Sequence, residues 1–254
     1  MIMSTPIFIG TSGWHYNDWT GTFYPKDITG YHELTYHAQF FNTVENNSSF
    51  YRTASEPTYK TWDKMTPPGY KFSIKLNKQI THASKLEVSD DVRERVDYIL
   101  DSIQVLGEKI GALLIQLPAS FKYDLERLDT FLDFFTKEVR SRPFVFDLAI
   151  EFRNRYWLTE EVYKCLRKHN VALVAADSSR YPGAREVTAN IAYIRMHGPT
   201  KLFASSYSDE QLQELATYLK SILPDVERAY VYFNNDFHGY AISNAQTLQN
   251  FLEK

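Results

Sequence analysis

Leu148-Ala149-Ile150-Glu151-Phe152-Arg153, running directly into Asn154-Arg155-Tyr156-Trp157, is the stretch on which the fold turns. In an extended chain successive side chains point to opposite faces. Leu148, Ile150 and Phe152 therefore share one face, and Ala149, Glu151 and Arg153 the other. A glutamate and an arginine at the carboxyl end of a buried strand are costly unless they are partnered or used. The same split between an apolar and a polar face recurs in other short runs. With this one, eight stand out, at residues 7–11, 43–47, 71–76, 112–117, 148–153, 172–177, 191–197 and 228–234.

Between most of these runs the apolar period changes from two to about 3.6. Val92, Val96, Ile99, Ile103 and Leu106 form one stripe over residues 91–107, which stops at glycine. Ser208 and Gln211 have capping-box spacing, and Leu212, Leu215, Leu219 and Ile222 line the helix that follows. Residues 31–41, 55–65, 124–139 and 159–169 read the same way, and a last helix begins near Gly239. This alternation predicts an α/β fold, a TIM-barrel-like (β/α)8 with a closed parallel sheet. Only thirteen residues, including Pro182 and Gly183, separate Asp177 from Ile191, so the helix between strands six and seven is expected to be missing. Residues 77–89 make a correspondingly long loop. No repeat, low-complexity tract or linker interrupts residues 1–254, which read as one barrel domain.

Composition bounds the function. A chain of 254 residues with 44% hydrophobic residues suits one barrel with a large core. A net charge of -3 gives no basic footprint, which disfavours tight non-specific nucleic-acid binding and leaves only a local patch open. The single cysteine, Cys165, excludes an internal disulfide framework and fits a reducing compartment. Met1 to Pro6 lack the features of a signal peptide, and no run is long enough to span a bilayer. The expectation is a cytoplasmic protein with no membrane partner.

In such a barrel the inward face of each strand is the one that carries polar residues. It offers Thr43, Glu45 and Asn47 on strand two, Ser73 and Lys75 on strand three and Gln116 on strand four. Glu151 and Arg153 follow on strand five, Asp177 on six, Tyr193, Arg195 and His197 on seven, and Tyr232, Asn234 and Asp236 on eight. These residues sit late in their strands, at the end where barrels of this kind place their active sites.

Many of the same residues carry a resemblance. Gly10-Thr11-Ser12-Gly13-Trp14 with Tyr16, Trp19 and Phe23-Tyr24-Pro25 opens the chain as in the YecE-like family, domain of unknown function 72. Glu45-Asn46-Asn47, Phe50-Tyr51-Arg52, Phe72-Ser73-Ile74-Lys75 and Gln116-Leu117-Pro118 also resemble it. So do Glu151-Phe152-Arg153, Arg195-Met196-His197-Gly198 and Asn234-Asn235-Asp236 with Gly239 and Asn244-Ala245. The resemblance spans essentially the whole chain and implies a TIM-barrel-like fold, but it supplies no reaction.

The chemistry must come from the residues. Glu45 and Glu151 are candidates for general base or acid, His197 for proton transfer and Asp177 for orienting a base. Lys75 ranks first as an ion-pair partner of Glu45, then as an anion clamp stabilising developing negative charge, then as a Schiff-base nucleophile. No cofactor is expected. Glu45, Glu151, Asp177 and His197 offer an alternative divalent-metal site, which Lys75, Arg153 and Arg195 would oppose. Arg153 and Arg195 are expected to hold an anion, helped by the loops at 197–201 and 236–239 where many barrels bind phosphate. Trp14, Tyr16, Asn47, Asn234 and Asn235 complete the expected substrate-binding set. Cys165 reads as a buried structural thiol, and His169 as a packing or surface residue. These features favour a hydrolase or isomerase acting on a small anionic or polyhydroxylated substrate, such as a phosphorylated sugar or nucleotide fragment. The alternative is a non-catalytic module that binds a ligand or nucleic acid in the same pocket.

Overall fold

The computed structural model describes residues 5–253. Its eight strands are β1 (Ile7–Ser12), β2 (Thr43–Asn46), β3 (Lys71–Lys75), β4 (Ile110–Gln116), β5 (Asp147–Glu151), β6 (Ala172–Asp177), β7 (Ile191–Met196) and β8 (Arg228–Phe233). All pair in parallel, in chain order, and β8 closes on β1. The helices are α1 (Glu33–His37), α2 (Glu56–Met65), α3 (Asp90–Ile103), α4 (Leu125–Arg140), α5 (Glu160–His169), α6 (Asp209–Ile222) and α7 (Tyr240–Glu253). Ser208 and Gln211 form the expected capping box at the start of α6. No helix among the described residues is long and apolar enough to cross a membrane.

Three segments depart from the sequence reading. The α-helix of residues 31–41 is confined to Glu33–His37, preceded by a 3-10 turn. The stripe of residues 91–107 leaves the α form at Ile103 and continues as a 3-10 segment through Gly107, whose φ of 54° no ordinary helix accommodates. The long loop after β3 contains a π-helical turn, Gln79–Ala83.

A column of tyrosines fills the barrel. Ala112, Ala149 and Ala172 line the inside and leave room for Tyr193, Tyr230 and Tyr232. Near the amino ends of the strands, the Tyr230 hydroxyl donates to Asp147 Oδ2 at 2.7 Å. In the middle, the Tyr232 hydroxyl lies 2.7 Å from Thr43 Oγ1 and 2.8 Å from Ser73 Oγ. Ser73 marks a register shift between β3 and β4, where its Oγ accepts the Ala112 N–H that the ladder leaves over. Every buried hydroxyl of the column thus has a partner.

Residues 178–190 contain no helix, as their number predicted. They run irregularly across the outside of β6, so close that a Cβ on Gly183 would lie 2.0 Å from the Ala176 carbonyl oxygen. The outer side of β6 is therefore thinly covered, and a groove of about 300 Å³ opens there beside Asp177, Tyr181 and Tyr218. The ladder between β5 and β6 is short, pairing only Ala149 with Ala172 and Ile150 with Leu173.

Gly10 is required where β1 approaches β2, because a Cβ there would lie 2.1 Å from the Thr43 carbonyl oxygen. Gly10→Ala is expected to lose about 1–3 kcal/mol, the cost of overpacking a close contact. Urea unfolding reads this directly. An unchanged midpoint would show that the two strands can separate there without cost.

Candidate active site

Arg195, on the inward face of β7, stands between two carboxylates. Its Nε donates to Glu45 Oε2 at 2.9 Å, its Nη2 to Glu45 Oε1 at 2.6 Å, and its Nη1 to Glu151 Oε2. Ser12 Oγ donates to Glu45 Oε1 at 2.7 Å and the Tyr193 hydroxyl to Oε2 at 2.6 Å, so each oxygen of Glu45 accepts two bonds. All three charged side chains are buried. Burial alone would raise the carboxyl of Glu45, but Arg195, Tyr193 and Ser12 bring it below its ordinary range. Burial likewise opposes the charge on Glu151, and Arg195, His197 and Arg153 together hold its carboxyl well below that range.

Toward the mouth the groups are less committed. Arg153 Nε donates to Glu151 Oε1 at 2.9 Å and its guanidinium lies 4.3 Å from the centre of the Tyr181 ring. Neither of its Nη atoms has an acceptor among the described residues. Asn234 Nδ2 donates to His197 Nδ1 at 3.0 Å, which leaves the ring proton on Nε2. That Nε2 is buried, lies 3.5 Å from Glu151 Oε2 and has no hydrogen-bond partner among the described residues. Burial lowers the His197 pKa, partly offset by Glu151, so the ring is neutral at pH 7.

Lys75 is 8% exposed, and its Nζ sits 4.2 Å over the Phe50 ring. The first-ranked expectation, an ion pair with Glu45, is not met: Nζ has no hydrogen-bond acceptor among the described residues, and Glu45 is taken by Arg195. Burial, reinforced by Arg195 and Arg153, lowers the amine to about 7. Asp236, just after β8, moves the other way. Burial raises its carboxyl to about 8, Glu45 adds to the rise, and Tyr16 and Arg195 offset only part of it. Its Oδ1 is buried without a hydrogen-bond partner among the described residues. Asp236 appears in the strand alternation, but nothing in the sequence marks it as a carboxyl that stays protonated near neutral pH.

Several expected members lie elsewhere. Asp177 aligns with Met196, not with Arg195, so it falls on the helix-facing side of β6 and accepts from the Tyr207 hydroxyl at 2.8 Å. Asn235 is likewise turned outward, and its Nδ2 ties the Ser205 carbonyl to Asn244 Oδ1 at 2.9 Å each. Trp14 packs edge-on against Trp62 of α2 at 5.0 Å, away from the barrel axis. Tyr16 stays at the mouth, its ring 4.6 Å from Trp19 and its hydroxyl donating to the Ser12 carbonyl. Asn47 lies just past β2 with helical φ and ψ, at the start of a 3-10 turn, and its buried Oδ1 has no partner among the described residues. Cys165 lies between α4 and α5, its thiol pushed up to about 12 by burial.

Two expectations about charge are corrected by these contacts. The four-residue metal set does not fit, because Asp177 is absent from it and the Arg195 guanidinium fills the place between Glu45 and Glu151. The loops after β7 and β8 do not form a phosphate cradle either. The N–H groups of Thr200 and Lys201 bond Ser205 Oγ, that of Gly198 the Tyr207 hydroxyl, and that of His238 Asp18 Oδ2. Arg195 is spent on carboxylates, so Arg153 and Lys75 are the cations left for an anion.

The family described as "Protein of unknown function DUF72" matches residues 8–254, and the chain belongs to it. A curated relative, UPF0759 protein YunF of Bacillus subtilis (strain 168), is 23% identical over 97% of this chain and 95% of its own length. UPF0759 protein YecE of Escherichia coli (strain K12) is 27% identical over 70% of this chain and 62% of its own. Among solved structures, a DUF72 family protein (TM1631) from Thermotoga maritima MSB8 superposes with a TM-score of 0.85 and 29% identity, covering 98% of this chain and all of that one. These likenesses agree on the barrel and carry no activity.

Because Glu45 and Glu151 have lowered pKa values when folded, they add stability above the unfolded carboxylate range, which is lost as pH falls through their folded values. Arg195→Gln strands Glu45 and leaves Glu151 with Arg153 alone as its arginine. It is expected to lose about 3–5 kcal/mol at pH 7, the usual cost of breaking a buried pair. The gap from wild type should narrow as pH falls and these carboxylates protonate. Urea unfolding across pH measures both effects, and a variant as stable as wild type at pH 7 would refute the account.

Proposed function

We propose that this DUF72 member is an enzyme that moves protons on a small anionic, polyhydroxylated carbonyl compound, such as a phosphorylated sugar, and that its reaction is an isomerisation. The observation that carries this reading is Lys75 Nζ, nine-tenths buried at the mouth, without an acceptor among the described residues, and lowered to about 7. An amine in that state is neutral above pH 7 and serves as a general base. Asp236, raised to about 8, is protonated below that pH and serves as the acid. The open Nη atoms of Arg153 suit a phosphate or carboxylate. His197 Nε2–H, fixed by Asn234, is placed to donate to a substrate oxygen as negative charge develops on it.

In the reaction, Lys75 takes the proton from the carbon beside the carbonyl while Asp236 protonates the carbonyl oxygen, giving an enediol. Returning the proton to the neighbouring carbon and removing one from the other hydroxyl completes the isomerisation, with no net change in atoms or electrons. Glu45, Glu151 and Arg195 act by position: Glu151 holds Arg153, and Arg195 keeps the charges of both glutamates matched. Hydrolysis is less well served, because the two glutamates already accept bonds from arginines.

A second reading, a nucleic-acid-binding module, has one observation in its favour. Exposed Tyr51 and Tyr156, in the loops after β2 and β5, lie 5.5 and 5.6 Å from the cationic groups of Lys78 and Arg155. Rings paired with cations suit unstacked bases.

Incubation with phosphorylated aldoses and ketoses in deuterated buffer separates the readings. Deuterium should enter beside the carbonyl, with a rate that rises through about pH 7 and falls through about pH 8. Lys75→Met should slow exchange by roughly 10²–10⁴-fold, the range for a lost general base. Arg153→Ala should weaken binding more than turnover. No exchange with any of these compounds, or exchange indifferent to Lys75→Met, defeats the isomerase reading. Salt-sensitive binding of a single-stranded oligonucleotide, equal in wild type and Lys75→Met, would favour the second.

A further inference from the structure

A separate cluster lies where α4 packs on α5. Cys165 and His169 stand four residues apart on α5 and so share a face, and Asp129 of α4 meets them. Cys165 Sγ is 3.5 Å from Asp129 Oδ1, and His169 Nε2 is 2.6 Å from the same oxygen. One ligand atom from each residue falls within 4.8 Å of the other two. Cys165 and His169 are buried, while Asp129 is open to solvent on one side. There Lys168 Nζ donates to both Asp129 oxygens, at 2.8 and 2.9 Å.

We propose that Asp129, Cys165 and His169 form a binding site for a divalent transition metal of the zinc class. Sulfur, imidazole nitrogen and carboxylate oxygen are the donors that zinc selects over magnesium or calcium. With zinc–ligand bonds of about 2.0–2.3 Å, donor atoms around a tetrahedral ion stand roughly 3.3–3.6 Å apart. The cysteine–aspartate separation already matches, and the histidine–aspartate pair has to open by less than about 1 Å. On binding, the Cys165 thiol proton passes to solvent, and the proton on His169 Nε2 moves to Nδ1 or to solvent, so metal and thiolate combine with no redox change. Lys168 is the competitor. Its exposed ammonium occupies Asp129 and has to swing away, leaving the open side to a water as fourth ligand.

The site sits at the end of α5 that leads into β6, on the face of the barrel opposite the mouth. It therefore braces two helices and takes no part in the proton chemistry proposed above. At the central mouth Glu45 and Glu151 already hold an arginine.

Titration of the chelator-stripped full chain with cobalt(II) tests this. The expected result is one equivalent bound, a near-ultraviolet thiolate-to-cobalt charge-transfer band, displacement by zinc, and a higher unfolding temperature with zinc present. Cys165→Ser should abolish the band, and Asp129→Asn should weaken binding. Lys168→Ala should tighten it by up to about fivefold, the worth of an exposed ion pair. Wild type with no thiolate band at millimolar cobalt overturns the proposal without recourse to any variant. So does a Cys165→Ser protein that binds cobalt as wild type does.

Discussion

The barrel depends on one guanidinium. Two carboxylates buried near the carboxyl ends of parallel strands would each prefer water by several kcal/mol. Arg195 compensates both at once, because its planar fork reaches Glu45 with two nitrogens and Glu151 with a third. A lysine could not span that geometry. Below this layer the interior turns to hydroxyls: Tyr193 supports Glu45, Tyr232 joins Thr43 to Ser73, and Tyr230 meets Asp147. Hydroxyls thus recur along an interior that also holds Leu114, Val174 and Ile191, and its small alanines leave room for the tyrosine rings.

That spent charge shapes the groups around it. Lys75 faces a neighbourhood in which both glutamates are already matched, so it meets two arginines with no free anion to welcome it, and its amine becomes weakly basic. The same arginine pulls the Asp236 carboxyl down, but its fork is given to the glutamates, and burial decides the outcome. The mouth therefore holds a weak base and a weak acid whose active forms coexist near neutral pH. Proton-transfer chemistry needs that coincidence.

The period-two alternation made the eight strands, their closure and most of the polar mouth legible from the residues alone. Glu45, Lys75, Glu151, Arg153, Arg195 and His197 do converge. The reading failed where parity was taken at a strand end. On β6 Ala172, Val174 and Ala176 turn inward, so Asp177 must turn out, and its polarity disguised that. Asn235 is a different case: the alternation that puts Asn234 and Asp236 inward already turns it outward, and only its place between them in the motif put it in the expected set. The partnering of Arg195 and the protonation of Asp236 depend on distances between strands far apart in sequence, and no local pattern encodes those. Trp14 illustrates the remaining limit: an aromatic ring in a rim loop looks alike in sequence whether it faces ligand or, as here, another tryptophan.

The short ladder between β5 and β6 gives the ring a seam. Elsewhere adjacent strands register over three to six residue pairs, and here over two. The thin cover over β6 removes the helix that would clamp the same place from outside. Few pairs and thin cover are what make local opening cheap. Two side chains span the seam at the mouth: Arg195 of β7, bonded to Glu151, and Arg153, leaving β5 and stacked on Tyr181 beyond β6. An anion seated on Arg153 would therefore do more than dock: by fixing the guanidinium it would latch the weakest joint of the cylinder. Occupancy of the mouth and rigidity of the whole ring become one equilibrium.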